Sequence, residues 1–139
     1  MSGGPDSGPE WIESDIVQTI HLRQIAEHGG EPGLRDEGLL ESALHRPLQL
    51  WNYAQPPADL CALAAAYAFG IARNHPFFDG NKRTAAIVCE LFLLVNGRKF
   101  LIDEIDKYPW YLGLAAGEID EASFADWLRS NTQSITDAP

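Results

Sequence analysis

The chain has 139 residues, of which 45% are hydrophobic, and carries a formal net charge of −10. A chain of this size favours a single domain that buries about 70% of its unfolded surface without disulfide bonds. The strong negative charge argues against nucleic acid as the main partner, because that binding depends on neutralising phosphates.

Three features of the sequence bear on the compartment. The longest apolar stretch, residues 85–95, is interrupted by Glu90 and is too short to span a bilayer, so no membrane partner is expected. The N-terminus lacks the basic region and apolar core of a signal peptide. Cys61 and Cys89 lie in separate apolar helical patterns, which favours buried free thiols over a disulfide or a zinc site. We therefore expect a cytoplasmic protein.

The N-terminal third is predicted to contain a tail and two helices. Residues 1–10 are rich in Gly, Ser and Pro and are predicted to form a disordered tail. A first helix begins near Ser14 and ends at the glycine pair 29–30. A second, short helix is capped by Asp36 and is predicted to end at Pro47, which cannot donate into a helix.

Two histidines, His21 and His28, lie seven residues apart on the first predicted helix and can share a face. A metal site needs at least a third ligand, and none stands out nearby in the sequence. Packing or solvent contact is therefore favoured over metal binding, which is the alternative.

Two apolar helices follow an aperiodic segment at 48–57, which is irregular or forms a short hairpin. Asp59 caps the first of them, and apolar residues then recur at helical spacing. This helix stops near Asn74, because the proline at position 76 disfavours helical geometry at the residue before it. The second helix, at 82–96, is apolar on nearly every side, which predicts that it is buried in the middle of the domain.

The C-terminal part is predicted to hold two more helices. One has Pro109 in its first turn and closes near Gly117, and Asp120 caps the last. The domain is expected to span 11–131, and the polar residues 132–139 to fray. Together these elements predict an all-α fold, a compact bundle of about six helices around a central buried helix.

Residues 75–86 join the two apolar helices and read His-Pro-Phe-Phe-Asp-Gly-Asn-Lys-Arg-Thr-Ala-Ala. Gly80 permits a turn with positive φ, and Asn81 is a good N-cap for the next helix. The first amides of that helix, at 82–84, face the loop and form an anion site with the helix dipole. Phe77 is expected to anchor the loop in the core.

Each polar residue of this loop has a candidate chemical task. Lys82 and Arg83 lie in a first helical turn, where the dipole disfavours cations by about 0.3 to 1 kcal/mol each, and a bound phosphate would resolve that conflict. Asp79 beside a phosphate site suits Mg²⁺, and His75 can accept a proton from a hydroxyl group. The alternative is a solvated turn between helices, which the ordered combination of residues disfavours. The candidate catalytic residues are His75, Asp79 and Arg83, and the candidate cofactor-binding residues are Gly80, Asn81, Lys82 and Arg83.

The run from His75 to Arg83 resembles the signature loop of the Fic/Doc family, and the Asn-Lys-Arg-Thr-Ala ending is similar to the Doc (death on curing) toxin branch. Residues 33–44 also resemble Doc-branch sequence, so the resemblance covers most of the chain. It implies the Fic-like helical bundle, with a flap at 48–57 that holds a target segment by strand addition. From the residues alone, Trp51 and Tyr53 in this segment could equally well cover the core.

The resemblance also implies the chemistry. Fic-type members usually have glycine where this chain has Lys82 and a second arginine where it has Ala86, and they transfer AMP to a protein hydroxyl. Doc-type toxins are understood to bind ATP inverted and to transfer its terminal phosphate, with elongation factor Tu as the known target class. Lys82 and Ala86 therefore favour ATP- and Mg²⁺-dependent phosphoryl transfer to a Ser or Thr hydroxyl. Gly80 matches the Fic pattern, and AMP transfer is the alternative.

Regulation is expected from a second protein. Some Fic proteins carry an inhibitory helix with a Ser/Thr-x-x-x-Glu-Gly/Asn motif, and the nearest match here has Gly33 in place of the hydroxyl residue before Glu37-Gly38. The resemblance therefore implies a separate antitoxin. A catalytically silent binding module is the remaining hypothesis, which the intact loop disfavours.

Overall fold

The computed structural model describes residues 8–135, which form six α-helices and one small two-stranded sheet. This confirms the predicted all-α class. The elements in chain order are α1 (Ser14–His28), α2 (Glu37–Tyr53), α3 (Leu60–Asn74), α4 (Asn81–Val95), β1 (Arg98–Phe100), α5 (Glu104–Ala116), α6 (Glu121–Asn131) and β2 (Thr132–Ser134).

Aspartates fix three of the helix starts, as the sequence predicts. The side chains of Asp36, Asp59 and Asp120 each accept a hydrogen bond from the amide three residues later, at 3.0, 2.8 and 2.7 Å. Each bond occupies one of the amides that a helix start leaves free. The first helix is different, because Ser14 is its first residue and Glu13 precedes it without a side-chain cap.

The central helix of the bundle is α3, which packs against α2, α4, α5 and α6. Its alanines at 64, 65, 66 and 68 are fully buried, since small side chains let several helices approach closely. The sequence predicts α4 for this central position. That helix packs its Val88, Cys89 and Phe92 face inward but leaves Leu94 about half exposed, so it lies at the side of the core.

The predicted end of α2 at Pro47 is wrong, and the helix continues through Trp51 to Tyr53. Proline removes the backbone donor to the carbonyl of Ala43, and its ring crowds that carbonyl. That carbonyl faces Gly70 of α3, where an added Cβ would lie 3.1 Å from the oxygen. Close packing on α3 thus supports the helix past the proline, and residues 48–53 form no hairpin.

The two short strands pair antiparallel at the far end of the bundle from the 75–80 loop, with Phe100 opposite Thr132. The buried Thr132 accepts a hydrogen bond from Arg98 Nε at 2.7 Å through its hydroxyl. Residues 132–134 are therefore a strand, where the sequence predicts the start of a frayed tail.

The N-terminal segment is also fixed where the structure describes it. Asn96 Oδ1 accepts from the Glu10 amide at 2.8 Å, and its Nδ2 donates to the Glu10 carbonyl at 3.0 Å. The remainder of the two predicted tails, residues 1–7 and 136–139, lies outside the described residues. No helix in the described part of the chain is long and apolar enough to cross a bilayer.

The ion pair between Asp59 and Arg129 joins the start of α3 to α6 and generates a prediction about acid stability. Arg129 donates to both carboxylate oxygens at 2.7 and 2.9 Å, and it holds the pKa of Asp59 below its usual value of 3.8. Because the pKa of Asp59 is lower in the folded than in the unfolded state, its charged form stabilises the fold at any pH above the unfolded-state pKa. This contribution is lost as the pH falls through the lowered, folded-state pKa. Asn is also a good N-cap.

We therefore expect Asp59→Asn to lower the free energy of unfolding by about 0.5 to 1 kcal/mol at neutral pH, the range for a well-formed surface pair. Below the usual aspartate pKa of 3.8 the deficit should shrink. Urea unfolding at a series of pH values measures it, with Asp126→Asn as control because Asp126 contacts a different Arg129 nitrogen. A deficit independent of pH would contradict the assignment.

Candidate active site

The loop between α3 and α4 begins with a histidine in a strained backbone conformation. His75 follows the last residue of α3 with φ 51° and ψ 57°, the left-handed region that non-glycine residues rarely occupy. Arg35 holds this conformation, because its guanidinium donates to the carbonyls of His75 at 2.8 Å and Asn74 at 3.0 Å. The imidazole is exposed at the start of the loop.

Asn81 ties the loop together and is not the N-cap that the sequence predicts. The cap is Gly80, with φ 76°, and Asn81 is the first residue of α4. Its buried side chain accepts from the Phe77 amide at 3.0 Å and donates to the Phe77 carbonyl at 2.9 Å. These two bonds fix the orientation of the amide, so the group that lies 3.3 Å from His75 Nδ1 is the NH₂ donor.

Phe77 anchors the loop in the core, as predicted. Its side chain is 1% exposed and stacks on the His21 ring, with centroids 3.8 Å apart and planes 7° apart. Its backbone forms an antiparallel bridge with Leu34, and the Pro76 carbonyl accepts from the amide of Arg35 at 2.7 Å. The segment after α1 therefore lies along the loop and fixes its path.

Asp79 is held from two sides by α1 and the residues that follow it. The Glu31 amide donates to Asp79 Oδ2 at 2.6 Å, and His21 Nε2 lies 2.9 Å from the Asp79 carbonyl oxygen. Gly30 permits this approach, because a Cβ there would lie 3.0 Å from the Asp79 Cβ. The carboxylate is exposed, and its Oδ1 is left to face solvent or a cation.

The N-terminus of α4 is an anion site by its backbone geometry. The first bond of the helix runs from the Thr84 amide to the Gly80 carbonyl at 2.9 Å, so the amides of residues 81–83 lie outside the helical ladder. A left-handed Gly80 followed by a helical Asn81 forms the kind of amide nest that binds anions.

Positive side chains surround this nest. Lys82 and Arg83 are exposed in the first turn, and neither forms an ion pair with any residue between 8 and 135. Both lie where the helix dipole disfavours a cation. The charge conflict that the sequence predicts is therefore present in the fold.

A cleft of about 1150 Å³ opens over the loop and brings the predicted site residues together. All six line it: His75, Asp79, Gly80, Asn81, Lys82 and Arg83. This volume lies slightly above the usual range for small-ligand sites, which is about 300 to 1,000 Å³.

The other walls of the cleft were not predicted from the sequence. Residues Gln24, Glu27 and His28 of α1 form one side, and α5 supplies the exposed Ile105 and Tyr108 of the other. His21 and Arg35 were also missed as loop-holding residues. The only sequence signal for the first was a histidine on the inner side of an apolar helix pattern.

A charged cluster lies where α5 meets α4. Lys107 is 7% exposed and donates to Glu90 at 3.1 Å and to Glu104 at 2.9 Å. Burial raises the pKa of Glu90, while the hydrogen bond and charge of Lys107 oppose that shift. Since Lys107 and Glu104 also line the cleft, the cluster fixes its α5 wall to α4.

The residues present fit a magnesium-bound nucleotide. Mg²⁺ is commonly held by one or two carboxylates together with phosphate oxygens, and Asp79 offers one carboxylate oxygen beside the anion site. Within residues 8–135, no group of three His, Cys, Asp or Glu side chains could enclose a metal by itself. An Asp79 ligand that shares the metal with phosphates agrees with both observations.

This loop between two helices at the mouth of a cleft is the candidate active site, and comparison with known proteins gives the family of the chain. The model of the Fic/DOC family matches residues 11–93, and the chain belongs to this family. It is similar to "Protein kinase doc" of Escherichia phage P1, with 37% identity over 118 residues that cover 85% of this chain and 92% of the phage protein. It is also similar to "Toxin Doc" of Mycolicibacterium smegmatis, with 40% identity over 80 residues that cover 57% of this chain and 62% of that protein. The resemblance to the Doc branch is thereby confirmed.

The left-handed backbone at position 75 generates a prediction about stability. His75→Gly should be more stable than His75→Ala by about 1 kcal/mol, because glycine adopts φ 51° without a Cβ clash and alanine does not. Chemical unfolding of both variants measures the difference.

Ala26→Gly is the matched control, since Ala26 is exposed inside α1. Glycine should there be the less stable residue by about 0.5 to 1 kcal/mol. If glycine were the less stable residue at position 75 as well, the strain assigned to His75 would be absent.

Proposed function

We propose that this chain is the toxin of a toxin–antitoxin pair and that it transfers the γ-phosphate of ATP to a Ser or Thr hydroxyl of a protein. The observation that carries the proposal is the loop itself, in which a histidine, a carboxylate and two unpaired cations surround a helix N-terminus. The names of the two relatives, a protein kinase and a toxin, support it.

The phosphates are proposed to lie over the N-terminus of α4. The amides at 80–83, which include the Gly80 amide of the nest, would donate to phosphate oxygens, and Lys82 and Arg83 would offset the negative charge that develops during transfer. Asp79 would hold the magnesium ion through Oδ1, because its Oδ2 already accepts from Glu31. Magnesium-bound ATP supplies the phosphoryl group and part of the charge neutralisation.

His75 is proposed to accept the proton of the attacking hydroxyl. Proton uptake at Nε2 requires that the ring hydrogen sits on Nδ1, the atom that faces the Asn81 NH₂ group at 3.3 Å. That long contact therefore has to open when substrates bind. Hydrogen bonds in active sites are commonly long before the substrates are present.

Phosphoryl transfer is favoured over AMP transfer by Lys82 and Ala86, which both line the cleft. A lysine side chain occupies the position where Fic-type members usually have glycine, and Ala86 offers no second guanidinium to the phosphates. Gly80 matches the Fic pattern, so AMP transfer is the first alternative function that the experiment below tests. The second alternative is a catalytically silent binding module.

The proposed partners rest on the family resemblance. Elongation factor Tu is the proposed target, which would make arrest of translation in the cytoplasm the effect of the toxin. A separate antitoxin is the proposed inhibitor. In the described part of the chain the cleft lies open, and Gly33 precedes Glu37 where an inhibitory motif would require a hydroxyl residue.

The reaction is tested with ATP labelled at either the γ- or the α-phosphate, with Mg²⁺, purified protein and cell extract that contains the proposed target. Label should reach protein from the γ position only. Transfer from the α position would instead establish an AMP transferase, and the absence of either label from protein would favour the binding module.

The role of His75 is tested in the same assay. His75→Ala should lower transfer by about 10²- to 10⁴-fold, the range for loss of a general base. His75→Gly should be equally inactive although it is expected to be the more stable variant, which separates loss of the base from loss of fold. Unchanged transfer in either variant would exclude His75 as the base.

The role of Asp79 is tested through its dependence on magnesium. Asp79→Asn should raise the Mg²⁺ concentration needed for half-maximal transfer by at least about 10-fold, since even outer-shell changes cost metal sites that much. Expression of the wild-type chain should arrest growth, and expression of Asp79→Asn should not.

Asp15→Asn, an exposed aspartate in the first turn of α1, is the matched control and should retain both properties. An unchanged Mg²⁺ requirement in Asp79→Asn would contradict the metal role.

A further inference from the structure

His21 is a buried polar side chain to which the proposed reaction assigns no task. It is 1% exposed on α1, its ring is stacked on Phe77, and its Nε2 lies 2.9 Å from the carbonyl oxygen of Asp79, 58 residues away. A carbonyl oxygen can only accept, so Nε2 must be the donor and must carry a hydrogen.

This hydrogen bond fixes the orientation of one peptide unit in the loop. The bond between Asp79 and Gly80 is trans, and in a trans peptide the C=O and N–H groups point in opposite directions. His21 lies beneath the loop and does not line the cleft, whereas Asp79 and Gly80 do. With its carbonyl held toward His21, the peptide directs the Gly80 N–H away from the buried ring and toward the open side.

The Gly80 N–H is the first amide of the nest that Gly80 and Asn81 form at the start of α4. Rotation of this peptide by half a turn would replace that donor with the Asp79 carbonyl and present an acceptor to a phosphate. Gly80 lacks a Cβ that would resist such a rotation. The orientation therefore needs a partner outside the loop.

We propose that His21 is a positioning residue that holds the Asp79–Gly80 peptide in its anion-binding orientation and so sets the affinity of the site for the ATP phosphates. This inference rests on the proposed function, because it takes the nest as the phosphate site. His21 acts through the loop backbone and does not contact the nucleotide.

Histidine at position 21 offers both an aromatic ring for stacking and a hydrogen-bond donor. Its ring stacks on Phe77, and its Nε2–H reaches the Asp79 carbonyl. Phenylalanine would keep the stacked ring and lose the donor, while glutamine would keep a donor at a similar distance from the backbone and lose the ring. The two variants thus distinguish positioning from packing.

The experiment measures binding of magnesium-bound ATP to purified His21→Phe and His21→Gln by calorimetry, with a thermal melt of each variant. His21→Phe should weaken binding by about 3- to 10-fold, the effect of one lost hydrogen bond, and His21→Gln should recover most of that loss. In turnover, KM for ATP should rise while kcat changes less. His45→Phe, at an exposed position of α2 outside this cleft, is the matched control and should bind like the wild type.

A second measurement needs no nucleotide. The amide resonance of Gly80 in a ¹H–¹⁵N spectrum should shift strongly in His21→Phe and only slightly in His21→Gln. Wild-type affinity in His21→Phe, or affinities that follow the melting temperatures of the two variants, would overturn the proposal. If the wild-type protein itself does not bind magnesium-bound ATP, the kinase proposal fails, and the Gly80 resonance then decides whether His21 orients the peptide.

Discussion

The pair of hydrogen bonds between the Asn81 side chain and the backbone of Phe77 is the contact on which the site depends. It closes the five residues 77–81 into a loop, and the buried Phe77 ring attaches that loop to the core. Three residues, Phe78, Asp79 and Gly80, lie between these ends. They can hold one ordered conformation because the burial of Phe77 and Asn81 offsets the conformational entropy that ordering costs. Removing the amide would leave a buried N–H and C=O without partners, which typically costs about 1 to 3 kcal/mol per group.

Local rules predicted the parts of this arrangement that depend on neighbouring residues. Pro76 ends α3 before His75, the aspartate caps begin three helices, and an apolar run predicts α4, because each effect acts within one or two turns. The six predicted site residues all lie between 75 and 83, so one loop contains them. The family resemblance was specific because the signature residues that carry it lie in this one loop.

Contacts between distant segments could not be predicted in this way. Arg35 lies 40 residues before His75, and His21 lies 58 residues before Asp79, so neither pairing has a periodic signal. The prediction that Pro47 ends α2 failed for a related reason. Packing on α3 decided the outcome there, and tertiary contacts commonly override local propensity. The walls of the cleft were missed because they lie on helices whose relative placement only the fold determines.

Several locally unfavourable features lie together at the loop between α3 and α4. His75 occupies a left-handed conformation at the end of one helix, and Lys82 and Arg83 oppose the dipole at the start of the next. Elsewhere the side chains of Asp36, Asp59 and Asp120 cap their helices, and even the buried Lys107 has two carboxylate partners. Random sequence drift would scatter such conflicts over the surface, whereas their concentration around one helix start is the pattern expected of a functional site. Two different changes would relieve these conflicts. Glycine at position 75 would remove the backbone strain, whereas a bound anion would neutralise the charge at Lys82 and Arg83. Only the bound anion leaves the proposed base, His75, in place. We therefore expect binding of a phosphate-bearing substrate to stabilise the loop.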